Sequence, residues 1–152
     1  MTSDPSLGGS GKAAIPGPAL ALGAAGFLPF LALSIATFVA PTDLAALSQK
    51  MLFGYGAVIL SFLGGIHWGR VISGNDIRWP VLAIGVLPSL AGWAALFVPA
   101  APGTILLVTG FAVTLAYDMG VVRAGQMPRW YPRLRVPLTA AVCAALLVPL
   151  FA

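Results

Sequence analysis

The chain has 152 residues, of which 59% are hydrophobic and 8% charged, with a mean hydropathy of +0.97. Soluble domains carry about 25% charged and 45–50% apolar residues. Twelve formal charges therefore leave too thin a polar shell for a soluble enzyme or nucleic-acid-binding fold of this size. The net charge of +4 rests on eight Lys and Arg, and it reads as membrane topology rather than as a basic patch for nucleic acid.

In chain order, residues 1–16 read as a short disordered cytoplasmic leader of Ser, Gly, Pro and Asp. A five-helix transmembrane domain is expected over 17–152. A spanning helix needs about 20 mostly apolar residues. Five stretches qualify, at 18–40, 51–69, 79–99, 103–122 and 136–152, and the last is the shortest. The first is longer than the apolar core of a signal peptide and is read as a retained helix. Short connections at 41–50, 70–78 and 100–102 make sequence neighbours antiparallel hairpins. The predicted fold is an all-α, polytopic bundle of five transmembrane helices.

The longest connection, 123–135, carries Arg123, Arg129, Arg133 and Arg135 among Trp130 and Tyr131, broken by Pro128 and Pro132. Arg129, Trp130, Tyr131, Arg133 and Arg135 are expected at the headgroup level, rings dipping in and guanidinium groups meeting anionic lipid. With five spans, Lys12, Arg70, Arg78 and these four arginines share one side, and Lys50 stands alone on the other. The positive-inside rule then puts the N-terminus inside and the C-terminus outside. Trp68, Trp79 and Trp130 gather on the inner side and Trp93 toward the outer, as in an aromatic belt.

Within the second span, Ala57, Ser61, Gly65 and Gly69 recur at intervals of four, with Gly64 beside them. Small residues at that spacing let another backbone approach, either in this chain or in a partner. Gly26-x-x-Pro29 in the first span recurs as Gly85-x-x-Pro88 in the third, which reads as a parallel repeat or, on the preferred reading, as chance among apolar spans of few residue types. Both prolines are expected to kink their helices.

Asp118 is the only formal charge inside a predicted span, and an acidic residue there marks a functional or paired site. His67 falls at a similar depth on a helix running the same way, so a contact is allowed, with Arg70, Tyr117 and Arg123 near enough to join a polar cluster. On one reading the two form a proton-responsive pair, since His changes charge near neutral pH. On the favoured reading Asp118 neutralises an arginine and His67 bonds locally. One His and one Cys cannot build a zinc or bis-His haem site, and no catalytic triad or phosphate-binding loop is present. Cys143, in an apolar run, reads as a packing residue. No cofactor, metal or catalytic residue is expected.

The stretches 22–30 (LGAAGFLPF), 55–69 (YGAVILSFLGGIHWG), 88–93 (PSLAGW), 116–118 (AYD) and 130–135 (WYPRLR) together resemble a family of small polytopic membrane proteins. That family includes the animal mitochondrial transmembrane protein sixty-nine and bacterial relatives. The resemblance covers roughly residues 22–139, and its most specific part is the block ending in His67-Trp68-Gly69. It implies an integral protein of a bacterial cytoplasmic membrane, or of the mitochondrial inner membrane in a eukaryote. It carries over no catalytic residue and no substrate. The expected role is a non-enzymatic accessory or assembly partner, gripping a membrane protein, a second copy or anionic lipid. The alternative is a small proton-linked transporter or channel using His67 and Asp118.

Overall fold

The computed structural model describes residues 14–74 and 79–151, and all regular structure among them is helical. Most of the expected leader, with Lys12, and Arg78 in the second connection lie outside the described residues.

Helix α1, Gly17–Val39, starts directly after Pro16 with Pro18 in its first turn, where a missing N–H costs no hydrogen bond. Pro29 lies inside it, and the helix continues through. Helix α2, Thr42–Gly74, has 33 residues and is about 50 Å long at 1.5 Å per residue. It begins nine residues before the predicted second span, so the expected connection at 41–50 shrinks to little more than Pro41. The cause is local: Asp43 sits favourably in the first turn, and Leu44 to Lys50 is rich in strong helix formers.

Helix α3, Trp79–Ala95, has 17 residues, about 26 Å, and stops short of the predicted end at Pro99. Leu96 and Phe97 close a turn instead, donating to the Trp93 and Ala94 carbonyls. Pro99 disfavours helical backbone at the residue before it. The other four helical segments, with the last taken as Tyr131–Phe151, are long and apolar enough to cross a membrane.

Helix α4, Ala100–Arg123, ends in a chain reversal built on Gly125, whose φ of 73° favours glycine. There Gly125 donates to the Val122 carbonyl and Gln126 to that of Val121, satisfying the last turn. Helix α5, Tyr131–Leu147, passes into a 3₁₀ turn at Val148–Phe151. It starts five residues before the predicted fifth span. Pro132 occupies its first turn, where proline is accommodated rather than disruptive. The long Arg-rich loop thereby loses its second half to a helix.

Helix α2 is central, packing on α1, α3 and α4, while α5 closes the bundle against α1 and α4. The core joins Phe30 of α1, Leu52, Leu60 and Leu63 of α2, Ala95 of α3, Leu107 and Phe111 of α4, and Val142 and Leu146 of α5. Phe30 tilts against Tyr55 at 4.9 Å between ring centroids, and the Tyr55 hydroxyl donates to the Gly26 carbonyl at 2.9 Å. Outward faces carry Leu22, Phe38, Val58, Phe62, Ile72, Leu87 and Val113, the reverse of a soluble surface and suited to acyl chains.

The α2–α3 seam is the closest approach. A Cβ added at Gly64 would lie 2.2 Å from the Gly85 carbonyl oxygen, and one at Gly92 would lie 2.9 Å from Cα of Ala57. Trp68 crosses the same seam, its Nε1 donating to the Leu82 carbonyl at 3.0 Å.

Candidate functional site

The alternating direction of the helices brings the starts of α1, α3 and α5 and the ends of α2 and α4 to one end of the bundle. A polar cluster is buried there. Asp118, in the penultimate turn of α4, uses both carboxylate oxygens. Its Oδ1 is 2.9 Å from His67 Nε2 on α2, and its Oδ2 accepts from Arg135 Nε on α5 at 3.0 Å. Tyr131, at the start of α5, reaches Oδ2 at 3.5 Å, the outer limit of a hydrogen bond. The Tyr117 ring stands edge-on to His67 at 4.7 Å and 75°.

Burial makes this arrangement consequential. His67 and Asp118 are each 1% exposed and Arg135 is 7% exposed. A charge so enclosed must be paired, and the Arg135–Asp118 bond is charge-assisted, the stronger kind. The His67 contact is electrostatic rather than an aligned hydrogen bond, and its Nδ1 has no partner. One carboxylate therefore pins three helices, α2, α4 and α5, at a common level.

The cluster is not composed as the sequence suggested. His67, Tyr117 and Asp118 do come together. Arg70 instead donates to Gln126 Oε1 at 2.7 Å, at the reversal after α4. Arg123 is exposed and makes no ion pair among the described residues. The cation that serves Asp118 is Arg135, expected at the lipid headgroups, and Tyr131 turns inward with it. Both shifts follow from α5 beginning at Tyr131, which puts residues 131 and 135 on one helical face, a turn apart. Arg129 and Arg133 stay exposed and Trp130 half-buried, stacked edgewise on Tyr131 at 6.0 Å. Pro132, when read as a helix start, is the sequence signal that points to Arg135.

The small residues of α2 separate into two groups. Ala57 and Gly64 are buried against α3, and Ser61 donates to the Ala57 carbonyl within its own helix. Gly65 and Gly69 face outward, with nothing within 4 Å of an added Cβ.

Two crevices flank the cluster. One, of about 220 Å³, lies between α3 and α4 and is lined by His67, Pro88, Thr114 and Tyr117 among apolar side chains. The other, of about 330 Å³, lies between α1, α2 and α5, with Arg135 and Thr139 on its wall. Among the described residues no three His, Cys, Asp or Glu side chains gather as metal ligands would.

Comparison with known proteins places this chain among membrane proteins. A family profile described as "Protein of unknown function (DUF3429)" matches residues 15–151. Transmembrane protein 69 of Xenopus tropicalis is 32% identical over 136 residues, covering 86% of this chain and 53% of that protein. Transmembrane protein 69 of Mus musculus is 29% identical over 140 residues, covering 89% and 56%. The chain thus spans about half the length of the curated relatives it matches. No solved structure matches it.

Proposed function

Starting from the fact that the chain belongs to the DUF3429 family, we propose that it is a non-enzymatic accessory or assembly partner held within its membrane. The observation that carries this reading is the self-contained pairing of Asp118 with His67 and Arg135 at one end of the bundle. Deeper levels are filled by the apolar core, with no Asp, Glu, Lys, Arg or His in it among the described residues. Transporters instead place substrate and ion sites near the midplane, on interrupted helices. Here α2 and α4 run unbroken past that level.

The partner-facing surface on this reading is the outer face of α2, where nothing among the described residues lies within 4 Å of a Cβ added at Gly65 or Gly69. A second backbone can approach there closely. Arg129, Trp130 and Arg133 meet anionic headgroups beside it, on the inner side of a bacterial cytoplasmic or mitochondrial inner membrane. Photo-crosslinking from positions 65 and 69 in intact membranes tests this. One defined adduct, a second copy or another membrane protein, is the expected product. A monomer that yields none from either position overturns it.

A second reading keeps one observation in its favour: His67 is enclosed beside Asp118 with Nδ1 unpartnered. A proton-linked transporter or channel built on that pair would show pH-gradient-dependent flux in proteoliposomes, abolished by His67→Gln. On the accessory reading no such flux occurs, and His67→Gln leaves crosslinking from position 65 intact.

A further inference from the structure

We propose that the crevice between α1, α2 and α5 is a binding site for one acidic phospholipid, its phosphate held by Arg135 and Thr139. The inference stands independently of the accessory role. It starts from two polar atoms that lack partners among the described residues. A guanidinium has five N–H donors in a fixed fork, and Arg135 gives Nε to Asp118 while its buried Nη2 bonds nothing. Four residues on, one turn along the same helix face, the buried Thr139 hydroxyl also lacks a partner. Both side chains line the same crevice. Such donors are strongly penalised in hydrocarbon, where no water competes for them.

The rest of the crevice specifies the other half of the ligand. Its wall runs from Ala19 and Gly23 near the start of α1 to Phe30, about 16 Å along the helix axis. The lining there is Leu22, Phe27, Ile59, Leu63 and other apolar side chains. A groove of that length, with a guanidinium toward its outer end and a hydroxyl one turn deeper, matches an acidic headgroup that dips in with its acyl chain below. Arg135 lies about 6 Å from the start of α5, within reach of the headgroup layer marked by Trp130 and Arg129. With Asp118 already neutralising Arg135, selection rests on the free Nη2 donor, which a phosphate with no ammonium of its own serves better. Arginine suits phosphate in particular, because its planar fork can offer two parallel donors.

Native mass spectrometry of the full chain, released from detergent with phosphatidylglycerol or phosphatidylcholine of equal chain length, tests the proposal. One retained phosphatidylglycerol per chain is expected, favoured over phosphatidylcholine by about tenfold or more, as for a hydrogen bond to a charged group. Gly26→Leu fills the groove, since the nearest atom to an added Cβ is the Tyr55 hydroxyl at 3.9 Å. That substitution leaves the Arg135–Asp118 pair alone and should reduce retention about tenfold or more. Thr139→Val, close in shape, should reduce it about threefold or more. Arg123→Gln, at the exposed end of α4, should leave it unchanged. Equal retention of the two lipids overturns the proposal, as does unchanged retention in both Gly26→Leu and Thr139→Val. A loss in Arg123→Gln as large as in Gly26→Leu overturns it too, because the binding would then be a diffuse surface effect. Retention of free oleate in place of phosphatidylglycerol would refute the phosphate assignment.

Discussion

Asp118 is where burial and charge meet most directly. Removing one member of an enclosed ion pair strands the other, at a cost of about 3–5 kcal/mol. Asp118→Asn should therefore lower stability by that amount in detergent, measured by thermal unfolding. The double substitution Asp118→Leu with Arg135→Met should recover most of the loss, because an apolar pair of similar volume needs no partner. A double variant as unstable as the single one would mean that the pair contributes more than mutual neutralisation. Depth alone made a meeting of His67 with Asp118 possible, as each lies a few residues inside an arginine-bounded helix end, but it did not select that contact over a local bond for His67. Arg135 was not legible, because Pro132 reads equally as a loop breaker or as a helix start. Only the packing of α5 on α4 decides between the two.

Helix α2 shows how the same ambiguity works over several turns. Steps of four residues rotate about 40° per step around a helix with 3.6 residues per turn. Positions 57, 61, 65 and 69 therefore spiral off any straight face, whereas 57 and 64 stay within about 20° of each other. That is why Ala57 and Gly64 meet α3 while Gly65 and Gly69 do not. Opposite signs follow for one substitution. Gly64→Ala drives a Cβ into the Gly85 backbone and should destabilise the protein by about 1–3 kcal/mol. Gly65→Ala meets open space and should stabilise it by about 0.5–1 kcal/mol through helix propensity. Melting curves of the two variants check this, and equal shifts would contradict the seam. Gly125→Ala, at a positive φ, should cost about 1 kcal/mol in the same assay. The existence and order of all five helices were visible in hydropathy. Their ends were not, since proline placement and helix-forming polar residues, rather than apolarity, set where α2, α3 and α5 begin or stop.

The charges of the assembled bundle also predict its orientation. Arg70, Arg123, Arg129, Arg133 and Arg135 occupy the end that holds the cluster, and Lys50 lies toward the other. In a Cys143→Ala background, Lys50→Cys should react with an impermeant maleimide added outside, and Arg129→Cys only after permeabilisation. The reverse pattern would invert the topology. The shortness of α3 has a mechanical consequence for the membrane around it. Its roughly 26 Å fall short of a hydrocarbon layer about 30 Å thick, while α2 exceeds that layer, so the flank at α3 is expected to compress the bilayer more than the centre does. Such elastic mismatch sorts proteins by membrane thickness. In bilayers of graded chain length the protein should melt highest where the hydrocarbon is thinned to match α3, and a melting temperature indifferent to thickness would dismiss the idea.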